Sequence, residues 1–480
     1  MDKDLEYTPR ILDLNKETDL LYFNSIRPDS NVIDQLDGQL MEYVKMLHPK
    51  DELTTEFVQE KIKGLVGSGD RMYYGVWVYY PWSKNLVHTL PEEEFIQLRT
   101  IRNRYKITHE EHDSLQKRSI GVVGLSVGQA IAVTIASERI CGELRIADFD
   151  TLELTNLNRI KAGIDKIGML KTVIAARTIA EIDPFIKVVC YHDGITDANI
   201  EDFLNHPTKL DLCIEECDGF YEKFNIRIKC KELGIPVMMD TSDMGLLDIE
   251  RFDLEPDREI FHGLIQVDDL NILRDLTTDE KIPYLYNIID ETQMSTRLKG
   301  SLIEVGESIR SWPQLSSAVT YGSGMTTDVA RRILLGTHTS SGRYSLDVET
   351  LISDESKQKL TLEKHSVAEP IISQPPVHIY KPSITGEVTP ELVRKLVSDA
   401  ILAPSGGNAQ PWKWEYKDEQ IFLFLEESRY SPYTDINKWG AYLALGCSAL
   451  NLSLSSSHHG IKLIEKNSFN TASFKFLNWH

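Results

Sequence analysis

Between positions 124 and 218 the chain spaces glycines, acids, amides and cations in a way that suits phosphate chemistry. In SIGVVGLSVGQAIAVTIASERI, Gly124 and Gly128 bracket a tight turn that holds Ser126. A strand, a turn and an Ala/Ile-rich helix follow one another there. Glycines let the backbone approach an anion, and the first helical N–H groups and the helix dipole face it. The next strand ends in ADFD, which places Asp148 24 residues after Gly124 and Asp150 just beyond. An acid at that distance binds ribose hydroxyls in Rossmann folds.

The block TLELTNLNRIKAGIDKIGMLK then supplies Asn156, Asn158, Arg159 and Lys171, all within 23 residues of Asp148. A hydride-transfer domain has no use for two cations and two amides at this place. A triphosphate attacked at its α-phosphorus does, because guanidinium and ammonium neutralise charge developing on phosphoryl oxygens. The strand LDLCIEECD ends at Asp218, placed to hold Mg²⁺ or to order the phosphates.

Other readings compete. Gly124-Leu-Ser126-Val-Gly128 is formally GxSxG, the nucleophile elbow of a hydrolase. The glycine turn with Asp148 also fits an NAD(P)-linked oxidoreductase, and a scaffold that has lost its nucleotide would keep the same fold. Singly, Arg159 or Lys171 is as well explained by a solvated surface. It is the ordered set that favours ATP.

The segment GLSVG…DFD…TNLNR…GMLK…ECD resembles the ThiF/MoeB/HesA-like enzymes of the ubiquitin-activating-enzyme superfamily, over about 95–340. That resemblance implies a domain that uses ATP and Mg²⁺ to adenylate a carboxylate, either the C-terminus of a ubiquitin-like carrier or a small acid. It implies that Asp148 holds the ribose, that Asn156 and Arg159 meet the phosphates, that Lys171 contacts the α/β-phosphates and that Asp218 sits by the metal. Asn103-Arg104 is similar to an element that sends an arginine across a dimer interface into the partner's ATP site, so a homodimer is implied with Arg104 acting in trans. Two positions depart from the family pattern: GxGGxG is reduced to GLSVG, and Gly219 stands where an asparagine is usual. No cysteine occurs between Cys230 and Cys447, where a thioester-forming nucleophile would lie, so the chemistry is expected to stop at an acyl-adenylate.

Further on, APSGGNAQPWKWEY resembles the SxxNxQPW element of FMN-dependent nitroreductases, which implies that Ser405, Asn408 and Gln410 face flavin. GAYLALGCSALNLSLSSSHHGIK is similar to the core helix of that family. His458-His459 sits in it as a weak metal candidate.

These residues need strands and helices to hold them. Alternating strand and helix patterns from Ile120 onward predict strands at 120–123, 143–148, 186–191, 211–215 and 236–239 and a parallel sheet. Upstream, apolar spacing predicts helix over roughly 33–64, a half-buried strand in Met72 to Trp82, and a helix opened by Pro91 at its first position. The fold class expected is α/β: a Rossmann-like, mostly parallel sheet with helices on both faces. The expected division is a helical/β cap at 1–94, the adenylating domain at 95–350, a proline-rich linker at 351–389, and a partial nitroreductase-like α+β unit at 390–480.

Of the 480 residues 41% are hydrophobic and 26% charged, as in a soluble globular protein. A net charge of −21 repels nucleic-acid phosphates and anionic lipid, so neither nucleic acid nor membrane is expected as a partner. MDKDLEYTPR lacks a signal-like apolar stretch, and a cytoplasmic protein is expected. Six cysteines without a CxxC pair read as reduced thiols rather than a disulfide or zinc framework.

Overall fold

Strands that must be covered on both faces read as continuous apolar runs, and SIGVV, ELRIA and VMMD are of that kind. The computed structural model describes residues 5–267, 269–274, 276, 278–289, 294–305, 308–352, 378–383, 389–405, 408–417, 420–426, 429 and 439–467. Two units divide the chain, Met1–Ser356 and Lys357–His480.

The first unit opens with a small sheet of β1 (Arg10–Leu12), β2 (Asn31–Asp34), β3 (Val76–Tyr80) and β4 (Asn85–Thr89), in the order β1-β3-β4-β2. The single helical stretch expected over 33–64 is instead β2 followed by two helices, Leu36–Leu47 and Thr55–Val66. Pro49 lies in the break, where its ring would cost a helical hydrogen bond. Thr54 caps the second helix by accepting the Phe57 N–H at 3.2 Å. Pro91 is the N-cap of helix Glu92–Arg99 rather than its first residue.

The seven-stranded sheet consists of β5 (Ser119–Val123), β6 (Glu143–Ala147), β7 (Lys187–Tyr191), β8 (Leu212–Glu215), β9 (Val237–Asp240), β10 (Leu246–Glu250) and β11 (Gly342–Ser345). Its order is β11-β10-β9-β8-β5-β6-β7. The five strands from β9 to β7 are parallel, and β10 and β11 add an antiparallel edge. Counted from β5, the parallel part runs 3-2-1-4-5, so the order reverses between β5 and β8. Ligands of such sheets bind at that reversal, beyond the carboxyl ends of the strands.

Helices cover both faces. Ile120, Val122, Leu144, Ile146, Ile214 and Met238 share a core with helices Gly128–Glu138, Lys171–Ile182 and Ser316–Leu334. Val123, Ala147, Cys213 and Val237 pack on the opposite face against helices Ile200–Asn205 and Phe220–Leu233. The small N-terminal sheet docks on the same unit, with Tyr80 Oη donating to the Ala180 carbonyl at 3.1 Å. The stretches 1–94 and 95–350 therefore fall within one unit.

The second unit has a four-stranded antiparallel sheet of β12 (His378–Ser383), β13 (Trp412–Lys417), β14 (Gln420–Leu425) and β15 (Lys462–Asn467), ordered β13-β14-β12-β15. Helices Pro390–Ala400 and Trp439–His458 pack into its core. β12 lies inside the stretch expected to be linker and pairs with two neighbours. Of the rest of that stretch, 353–377 and 384–388 lie outside the described residues. No described helix is long and apolar enough to cross a membrane.

Candidate active site

The site is built at the carboxyl end of β5. Gly124 takes φ +83, and a Cβ there would lie 2.5 Å from the Glu216 carbonyl oxygen, so only glycine fits without a shift. Its N–H donates to Ala147 at 2.8 Å. The backbone N–H groups of Ser126, Val127, Gly128 and Gln129 donate to no other described residue. They form the mouth of helix Gly128–Glu138, where an anion finds both donors and the positive end of a dipole.

Asp148 directly follows β6 and is buried. Its Oδ2 accepts the Leu125 N–H at 2.6 Å and its Oδ1 the Asp150 N–H at 2.7 Å, which ties strand end to turn. Burial raises its pKa, against the opposing pull of Lys171. The loop after it folds back on itself: Leu152 N–H donates to Met169 at 2.8 Å and Gly168 N–H to Leu152 at 2.9 Å. That closure sets Lys171 at the start of its helix, buried, with Nζ 2.7 Å from Asp150 Oδ2.

Arg159 lies across the turn. Its Nε and Nη2 donate to Ser126 Oγ at 3.0 and 2.7 Å, and its Nη1 to Asn158 Oδ1 at 2.9 Å. Asn158 is fixed in turn by the Gln314 carbonyl at 2.6 Å. No described carboxylate pairs with the guanidinium. Burial lowers its pKa, and the field of Asp218 opposes that shift. Asp218 is exposed, two residues ahead of helix Phe220–Leu233.

Gly124, Ser126, Gly128, Asp148, Asp150, Asn158, Arg159 and Lys171 are thus brought together, with Asp218 within electrostatic reach. Asn156 is buried, and its Oδ1 accepts the Glu153 N–H at 3.1 Å to cap the local turn. Arg104 is not in this group. Its neighbour Asn103 donates to the Glu138 carbonyl, at the far end of the 11-residue helix Gly128–Glu138. A helix of that length separates Arg104 from its own chain's turn by roughly 16 Å. Ser126 is no hydrolase nucleophile here, because its hydroxyl meets a guanidinium, which cannot take a proton, rather than a base.

In the second unit, Ser405 Oγ accepts the Gln410 N–H at 2.9 Å, and Gln410 Nε2 donates to Asn408 Oδ1 at 3.3 Å. The three residues expected to face flavin are thus linked to one another by hydrogen bonds. The rings of His458 and His459 meet edge to face at 5.3 Å, and no group of three metal-ligating side chains forms among the described residues.

Sequence reading missed a buried ionic cluster behind Asp218. Lys223 Nζ donates to both oxygens of Glu215 at 2.9 and 3.0 Å. Arg227 joins Glu215 to Glu250, the latter at 2.8 Å, and lies 4.0 Å over the Phe261 ring. The available signal was the i, i+4, i+7 series Lys223, Arg227 and Cys230 on an otherwise buried helix face. On the other face, Glu216 accepts the Asp240 N–H at 2.7 Å, and both acids are buried.

Residues 99–299 match the ThiF family. The chain carries a ThiF family domain. Uncharacterized protein MT1398 of Mycobacterium tuberculosis (strain CDC 1551 / Oshkosh) is 39% identical over 385 residues, which cover 80% of this chain and 52% of that protein. Ubiquitin-like modifier-activating enzyme 5 of Aedes aegypti is 28% identical over 134 residues, 26% of this chain and 34% of that enzyme. The chain thus spans about half the length of the first relative, and the match takes in about a third of the second. Among solved structures, E. coli tRNA N6-threonylcarbamoyladenosine dehydratase TcdA in complex with AMP aligns at a TM-score of 0.36 and 19% identity, over 50% of this chain and 95% of that one. The ThiF family domain spans β5 to β10, so it contains every residue of the turn and of the charged block.

Proposed function

We propose that the ThiF family domain adenylates a carboxylate with ATP. The observation that carries the reading is the Arg159 guanidinium, half-buried, unpaired with any described carboxylate and bonded to the Ser126 hydroxyl of a turn whose four N–H groups, Ser126 to Gln129, donate to no described residue. A desolvated cation beside unused donors is costly unless an anion completes it. A polyphosphate at the reversal point of the sheet does so, with Asp148 and Lys171 flanking it.

In the reaction a carboxylate oxygen attacks the α-phosphorus and the bond to the pyrophosphate oxygen breaks. The nucleophile is already ionised, so no general base is needed. Arg159 and Lys171 balance charge on the phosphoryl oxygens, and the turn orients them. Mg²⁺ fits Asp218, an exposed carboxylate without a side-chain hydrogen bond among the described residues, because this ion takes one or two carboxylates plus phosphate oxygens. When bound it supplies positive charge to the leaving pyrophosphate.

The acid is a carrier-protein tail or a small carboxylate. With no cysteine between Cys230 and Cys447, the acyl-adenylate passes to a nucleophile from outside this stretch. A second copy of the chain would bring Arg104 to the site in trans. The test is carboxylate-dependent exchange of labelled pyrophosphate into ATP by the full chain. Exchange in the wild type and its loss in Arg159→Ala are expected. Exchange that survives Arg159→Ala overturns the assignment.

A further inference from the structure

Resting on that reading, the geometry assigns Ser126 as a phosphate-binding residue whose hydroxyl adds a side-chain donor to the backbone N–H groups of the turn. The turn GLSVG carries Ser126 and Val127 between its two glycines, so a hydroxyl stands among the backbone N–H groups of the turn.

Its Oγ accepts two hydrogen bonds from the Nε and Nη2 edge of Arg159, at 3.0 and 2.7 Å. That edge is the fork with which arginine grips carboxylate or phosphate. Here a neutral hydroxyl oxygen sits between its prongs. Both contacts use the oxygen as acceptor, so the hydroxyl proton must point elsewhere, and no described residue accepts it. An oxygen polarised by a guanidinium is a stronger donor through its own hydrogen. The hydroxyl therefore passes part of the Arg159 charge towards the open N–H groups of Ser126 to Gln129, where the anion is to lie. A glycine at this place could do neither.

The experiment uses the full chain with two probes, ATP in Mg²⁺ and adenosine, in equilibrium titrations of wild type, Ser126→Ala, Ser126→Thr and Arg159→Ala. Losing one hydrogen bond to a charged group costs roughly 10- to 100-fold in affinity. Ser126→Ala is expected to weaken ATP by about that factor and to leave adenosine and the melting temperature unchanged. Ser126→Thr, which keeps the hydroxyl, should restore ATP binding. If Ser126→Ala binds ATP as the wild type does while Arg159→Ala does not, this assignment fails and adenylation stands. If Ser126→Ala weakens adenosine as much as ATP, the serine merely shapes the turn. If the wild type does not bind ATP, both readings fall together.

Discussion

Lys171 grips Asp150 twice: its Nζ lies 2.7 Å from Asp150 Oδ2, and its N–H donates to the Asp150 carbonyl at 3.0 Å. The lysine is buried while the aspartate is half exposed, so the pair points a desolvated ammonium towards the strand ends with an acid that water can take over. Asp150 is thus able to yield the ammonium to a phosphate at little expense. Lys171→Met should lower the adenylation rate by about two to three orders of magnitude, as loss of one preorganised charge does. The main chain contact survives the substitution, so melting should shift by only a few degrees. Exchange kinetics and a thermal melt on the same preparation check both. A collapse of stability matching the loss of rate would mark the lysine as structural.

Arg227 is the keystone of the buried cluster, fully enclosed between Glu215 and Glu250. Removing one partner of such a set leaves charge uncompensated, and Arg227→Met should cost about 3–5 kcal/mol of stability. Pairing it with Glu215→Gln should recover part of the loss. Urea unfolding of the single and double variants measures this, and an unchanged midpoint in Arg227→Met would contradict it.

Two acids give opposite pH signatures. Burial pushes Glu215 up, but Lys223 and Arg227 more than reverse this and hold it at about 2. A lowered folded-state pKa stabilises above the unfolded value near 4.5, and that contribution is lost as pH falls towards 2. Burial pushes Asp240 up to about 6, against the opposing hydrogen bonds from Ser242. The folded state then holds the proton more tightly than the unfolded one, so stability falls as pH rises from 3.8 to about 6. Asp240→Asn should therefore raise the melting temperature at pH 8 more than at pH 5. An equal shift at both would show that ionised Asp240 is not the cost.

Gly124 combines φ +83 with a backbone carbonyl 2.5 Å from where a Cβ would go. Gly124→Ala should destabilise the turn by about 1–3 kcal/mol and abolish ATP binding, since the clash pushes β5 from the end of β8. Calorimetric titration with ATP, beside a melt, checks this. Wild-type affinity in the alanine variant would show that the turn does not hold the phosphates.

The five parallel strands were legible to within a residue or so, because a strand buried on both faces has little choice but an unbroken apolar run. The turn, Asp148, Arg159 and Lys171 were legible for a related reason: each stands at a chain position that the alternation of strand and helix fixes. Asn156 has a type that suits a cap as well as a phosphate, and its bond from the Glu153 N–H was not foreseen because it depends on how the local turn closes. β1 and β2 were missed, being three and four residues long with mostly exposed side chains. β12 hid in a proline-rich stretch, where Pro382 sits near the end of the strand and weighs against one by composition. The Glu215–Arg227–Glu250 cluster joins residues up to 35 positions apart across two strands and a helix, a pairing that no local pattern carries.

Adenylation by this chain requires that the Gly124 turn and Arg159 hold a triphosphate. Equilibrium titration of the full chain with ATP in Mg²⁺, and separately with NADH, measures that most directly. Saturable ATP binding that disappears in Arg159→Ala, with no comparable NADH binding, is the result expected here. Tight NADH binding without ATP binding, or ATP binding indifferent to Arg159, would contradict it.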